Sequence, residues 1–277
     1  MSDLAIEASD RPLRPDQYTY VETHAWWLGS FGRHNHLSEQ RLRTWVPARP
    51  EREWLLDREL TGKQTWLTGS ADEAHDDGFD LRDIGPVGRF RARYGEFDTG
   101  HSEPLDGDPH DPHDHHAPLF DVGFAPTRPR RRGSWQSPTP EFMAELPRDP
   151  SELLGRLREE NPGSWFGPFA AAVTVLRSSL ARADLRRALY RAVTGLPAVS
   201  VAAGVRNVDG HECIAIVHDT GRTRTELMIA PDGGGFAGER DTLRMDSRCG
   251  GLKAGTVISS TAVHTAVVDV LGEQPRR

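Results

Sequence analysis

The chain has 277 residues, 34 basic and 41 acidic side chains, and a net charge of −7. That length fits one large β-rich domain or two modest ones, and seven Trp and ten Phe argue for packed cores rather than a disordered chain. An acidic balance argues against nucleic acid as a partner, because phosphates call for a cation surplus, and no stretch approaches the roughly 18–20 apolar residues of a membrane span.

Residues 1–16 are polar, carry Pro12 and Pro15, and lack the apolar centre of a signal peptide. They are expected to form a flexible arm. Residues 18–28 are rich in aromatic and β-branched side chains, including Trp26 and Trp27, and predict a long strand. A turn region is expected over 29–37. Residues 41–46 alternate polar and apolar up to Trp45 and Val46, the period of a half-buried strand, and Pro47 and Pro50 end it. Residues 52–60 and 63–67 read as two strands or a hairpin around Thr61-Gly62. Trp45, Trp54 and Trp66 then fall on neighbouring strands, where aromatic side chains stabilise one face of a sheet.

From about residue 70 to 140 the periodicity dissolves into Asp, Gly, Pro, His and Arg. This is read as an irregular insertion, and its basic run Arg128-Pro129-Arg130-Arg131-Arg132 as a solvated loop. The segment also holds His110-Asp111-Pro112-His113-Asp114-His115-His116, with His101 nearby. Neutral imidazoles and carboxylates suit zinc, nickel or copper. A Pro- and Asp-rich loop does not by itself supply the fixed outer shell that a catalytic metal needs. His110, His113, His115 and His116 are therefore the candidate metal ligands, with weak or adventitious binding expected and no resident cofactor. His34 and His36 sit two apart, so they share a face only if the chain there is extended.

Helical signals follow. Asp149 is placed to cap, Pro150 to take the first helical position, and Glu152 to complete a capping box, ahead of an apolar stripe at Leu153, Leu154 and Leu157. Further helices are predicted over 168–180 and 183–194. Gly195 with Pro197 is the stop signal, the glycine expected in a left-handed cap. The remainder reads as a β meander: a strand from Val199, a turn at Asp209-Gly210, strands over 213–218, 222–230, 235–243 and 255–270, and a frayed tail over 272–277. Cys213 and Cys249 both fall in this part, as a bridged pair or as two free thiols.

Several stretches together resemble an uncharacterised actinobacterial family. They are the early Tyr-rich strand, Arg43-Thr44-Trp45, the Leu-Pro-x-Asp-Pro-x-x-Leu-Leu-x-x-Leu pattern from Leu146 to Leu157, Leu185 to Ala192 with Leu196-Pro197 after it, and Gly251 to Ala262. Members of that family often pair a membrane anchor with an extracytoplasmic domain and are associated with sigma factors. The domain is similar in expected fold to the LolA and RseB group. The resemblance implies an α+β fold, a curved, half-open antiparallel sheet with about three helices on its concave face, as a single domain over 17–271. It implies a non-enzymatic binding or sensory role, with a lipid-like or peptide ligand held between sheet and helices. Trp26, Trp45, Trp54 and Trp66 are the candidate ligand-binding residues. No anchor is seen in this chain, so the expected compartment is extracytoplasmic if it derives from an anchored protein and cytoplasmic otherwise. The alternatives are a metal-binding protein or metal-dependent hydrolase built on the His loop, and a structural partner-binding module. No Gly-x-Ser-x-Gly elbow or phosphate-cradling Gly-Lys-Ser/Thr occurs, and Cys213, beside Ile214 and Ile216, is expected to be unreactive.

Overall fold

The computed structural model describes residues 6–80, 85–95, 97, 133–163, 167–247 and 251–276. They include nine strands and five helices, and every strand pairing is antiparallel. The fold class is thus α+β with open antiparallel ladders. The chain divides into two compact units, one of residues 1–11 and 129–244, the other of 12–128 and 245–277. The boundary at 244–245 carries no Pro- or Gly-rich linker signal.

The second unit is built on strands β1 (Tyr18–Phe31), β2 (His34–Pro47), β3 (Glu53–Thr68), β4 (Gly88–Arg93) and β9 (Val257–Val268), in the order β4-β3-β2-β1-β9. β1 and β2 run the full predicted length and beyond. The turn expected over 29–37 contracts to Gly32-Arg33, because Phe31 already pairs with His34; Gly32 supplies the positive φ of 56° that so tight a reversal needs. β3 is one strand, not a hairpin. Ser38 pairs with Gln64 and Gln40 with Leu60, so Thr61-Gly62-Lys63 oppose Glu39 alone. Gly62 has a φ of 81° and serves a bulge, not a reversal.

Two elements lie in the stretch read as irregular: helix α1 (Ala71–Asp76), capped by the Ser70 hydroxyl, and β4. One face of this unit holds a core of Tyr18, Tyr20, Trp45, Leu55, Ala266 and Val268, with Leu271 packed against it. Tyr20 and Trp45 meet edge to face at 5.2 Å, a contact worth about 0.5–1.5 kcal/mol beyond burial. The indole N–H of Trp45 donates to the Glu273 carbonyl, so the tail expected to fray is docked at that residue.

The first unit carries β5 (Val199–Arg206), β6 (Glu212–Asp219), β7 (Thr223–Ile229) and β8 (Phe236–Leu243), in the order β8-β7-β6-β5. Its helices are α2 (Pro140–Ala144), α3 (Pro150–Glu160), α4 (Pro168–Arg177) and α5 (Ala183–Thr194). α3, α4 and α5 pack on one another, α4 against β8 and α5 against β5. Leu153 and Leu157 of α3 and Leu185 and Leu189 of α5 are fully buried, each contributing about 1.5–3 kcal/mol.

As predicted, the Asp149 carboxylate accepts from the amides of Ser151 and Glu152, and Pro150 opens α3. Gly195 departs from expectation: its φ is −83°, and the left-handed residue is Ala198 at 59°. What Gly195 provides is room, since a Cβ there would stand 3.0 Å from Leu154 Cδ2. The N-terminal segment, read as a flexible arm, is pinned where described. The Asp10 carboxylate accepts the Ala183 amide at 2.9 Å and pairs with Arg186, so it caps α5 from a distant part of the chain. Ala8 beside it is buried.

Candidate functional site

Strand geometry sorts the tryptophans before any ligand is considered. Trp45 stands opposite Tyr20, and Trp26 opposite Glu39, so both point to the Tyr20 face of the second unit. Trp54, two residues before the Leu56 that pairs with Thr44, and Trp66, opposite His36, point to the other face. The four do not line one surface. Trp45 is core; Trp54 is buried with its N–H donated to the Pro50 carbonyl. Trp26 and Trp66 are half-buried. The four metal-ligand candidates His110, His113, His115 and His116 lie outside the described residues, as does Cys249. Cys213 is free and buried, and burial raises its thiol pKa. Among the described residues no three His, Cys, Asp or Glu side chains converge as metal ligands would.

The Trp66 face holds the least ordinary chemistry of the molecule. It is a buried polar strip along β2 and β3. At one end the Arg58 guanidinium donates to Gln40 Oε1 at 2.9 Å, and the Gln40 amide reaches Ser38 at 3.4 Å. At the other end lie His34 and His36, extended and on one face, each about 1% exposed. His34 Nε2 bonds Asp77 Oδ2 at 2.7 Å, at the C-terminus of α1. That bond, foremost, holds the Asp77 carboxyl below its usual range. The other nitrogen of His34 lies against Gly69, where a Cβ would come within 2.1 Å of it. Among the described residues that Nδ1 has no hydrogen-bond partner, so the Asp77–His34 pair faces no hydroxyl or thiol that it might activate.

His36 is different. Its imidazole lies across Gly29 of β1, with a Cβ there only 2.7 Å from its Cε1. The Trp66 ring is 4.8 Å away and the Phe79 ring 5.0 Å. Among the described residues neither ring nitrogen of His36 has a hydrogen-bond partner, and neither does the Nε2 of Gln64, two residues from Trp66 on the same face. Burial pushes the His36 pKa below its ordinary value, so at neutral pH the ring is uncharged, one nitrogen donating and one accepting. A buried polar group left unpaired costs about 1–3 kcal/mol, and such a group calls for an explanation. His34 and His36 fall in the stretch expected to be a turn, and both lie instead on strand β2. Nothing in the local pattern marks Gln64 or Phe79.

Two other polar clusters are satisfied internally. On the Tyr20 face, Glu39 is 4% exposed. Burial would raise its carboxyl, but hydrogen bonds with Thr61, Lys63 and His24 outweigh that and hold it down. In the first unit, Arg177 of α4 binds both oxygens of buried Glu239 at 2.7 Å. Asp241 beside it is raised by burial against the opposing Thr225 hydroxyl bond.

No family model matches the chain, and neither curated proteins nor solved structures give a match. Among the described residues no helix is long and apolar enough to cross a membrane.

Proposed function

We propose that the protein is a non-enzymatic binding module whose ligand engages the His36, Gln64 and Trp66 face of the second unit. The carrying observation is that, among the described residues, both nitrogens of buried His36 lack a partner, as do Nδ1 of His34 and the amide nitrogen of Gln64 on the same face, with the Trp66 and Phe79 rings against the His36 imidazole. A neutral imidazole beside a primary amide offers donors and an acceptor together. Its complement is an amide flanked by an apolar group, as an extended peptide supplies. A lipid-like molecule matches the aromatic walls and only part of the polar set. Phe79 follows α1, and its ring lies 5.0 Å from the imidazole. The kinship with the LolA and RseB group belongs to this proposal. Open antiparallel ladders with a helical layer support it, while the link to envelope or sigma-factor signalling rests on the sequence resemblance alone.

The test is a titration of the full chain with N-acetylphenylalaninamide and, separately, decanoic acid, followed by imidazole nitrogen NMR and thermal unfolding. The amide should shift the His36 resonances and stabilise the protein by about 2.7 kcal/mol at a hundredfold excess over Kd, with neither effect in His36→Leu. Decanoic acid acting alone would transfer the site to lipid-like ligands. Stabilisation that persists in His36→Leu, or no response to either probe, would remove the reading.

A further inference from the structure

Strand β5 ends the ladder of the first unit. From Val199 to Ala202 it pairs regularly with β6, then a two-residue bulge at Ala203 and Gly204 breaks the register before Val205 meets Cys213. Among the described residues nothing pairs with its outer edge. Ser200, Val201, Ala203 and Gly204 are exposed, and Val201, at 41%, is among the few large apolar side chains left in solvent. An open edge of this kind is a template for another strand, and proteins normally guard it with charge, proline or a bulge. Here the run from 199 to 205 has no ionisable side chain and no proline, and among the described residues the guard on the strand is its bulge, beyond Ala202.

β4, which ends the ladder of the other unit, is built the opposite way. Arg89, Arg91 and Arg93 alternate along it and are exposed. An antiparallel copy of β4 would set arginine against arginine, and like charges directly opposed destabilise a strand pair. Charge therefore distinguishes the two ladder ends with respect to a second copy of the same chain: β4 would bring up a row of arginines, two of them paired with Asp57 and Glu53 of β3, and β5 brings no charge at all.

We infer that β5 is a self-association edge, at which two copies of this chain pair antiparallel about a two-fold axis at Val201. That axis makes the contact isologous. It sets Val201 against its counterpart and Ser200 against Ala202, so the exposed valine is covered with no charge opposed. A single strand edge buries less than the roughly 1,200 Å² of stable interfaces, so the dimer is weak and concentration-dependent.

Sedimentation velocity of the full chain from about 10 µM to about 1 mM is the test, since weak pairs of this size class dissociate below that range. The expected result is a shift towards dimer with concentration, weakened tenfold or more in Val201→Lys, which opposes two ammonium groups, and retained in Val201→Thr. Circular dichroism of Val201→Lys should match the parent, and Val201→Cys should crosslink to its own copy on mild oxidation. A chain that stays monomeric throughout, or a dimer indifferent to Val201→Lys, overturns the assignment.

Discussion

Substituting Gly29 by alanine should damage the protein through one contact and no other. The position has no positive φ, so the backbone accepts alanine, and in an isolated strand the change would gain roughly 0.5–1 kcal/mol. In the folded unit the new methyl would lie 2.7 Å from His36 Cε1 and 2.8 Å from Nε2. The imidazole has no room to yield, since Trp66 and Phe79 close in on it at 4.8 and 5.0 Å. Overpacking of this kind costs about 1–3 kcal/mol, which for a domain of about 150–250 residues lowers Tm by roughly 2–12 °C. In a His36→Ala background the obstruction is gone, and Gly29→Ala should become neutral or stabilising. Thermal and urea unfolding of the four proteins of this cycle would read a coupling of about 0.5–3 kcal/mol. Strict additivity, or a harmless Gly29→Ala, would refute the placement of the ring across Gly29.

Burial holds both His36 and His218 below the ordinary histidine value of 6.5. Both prefer to be neutral in the fold, so the unfolded chain takes up more protons as the solution is acidified. Stability should be full above about pH 6.5 and fall below it, and urea midpoints at pH 7.5 and 5.5 should differ less in His36→Leu than in the parent. Arg177→Met should cost about 1–3 kcal/mol by removing the guanidinium nitrogen that donates to both oxygens of the buried Glu239 carboxylate, with Arg177→Lys recovering part of it; equal urea midpoints for Arg177→Met and the parent would contradict this. Asp10→Ala removes a cap made from a distant segment and should cost about 0.5–2 kcal/mol. Amide exchange should then quicken at Ala183 and the next turn of α5, and unchanged exchange there would count against the cap.

Local chemistry made much of the fold legible. Asp149-Pro150 announced α3 because a cap and its proline act within three residues, and the alternation from Val199 onwards announced the meander. The Gly-Arg-Phe-Arg-Ala-Arg period of β4 was equally present at 88–93, but its surroundings of Asp, Gly and Pro hid it. The Thr61-Gly62 reversal failed for a different reason: a glycine with positive φ serves a bulge as readily as a hairpin, and only the partner strand decides. The tryptophans were legible as sheet residues. Their division between two faces was not, because it depends on register. The docked tail at Glu273 and the docked arm at Asp10 are fixed by partners more than 170 residues away in sequence, which no window of local pattern can reach. The candidate site was the least legible part, since an imidazole is polar in any periodicity count and its lack of partners exists only in three dimensions.

The bulge in β3 has a consequence for how that long strand keeps its place. A regular ladder would set Glu39 opposite either Thr61 or Lys63. The looped-out residues let both converge, the hydroxyl at 2.6 Å and the ammonium at 3.2 Å, on one carboxylate that His24 already holds from the far side at 2.9 Å. Sliding β3 along β2 in either direction would abandon a desolvated anion with part of its retinue gone. A single acid thus acts as a ratchet pawl for a 16-residue strand, fixing the alignment of both halves where no tight turn is close enough to do so.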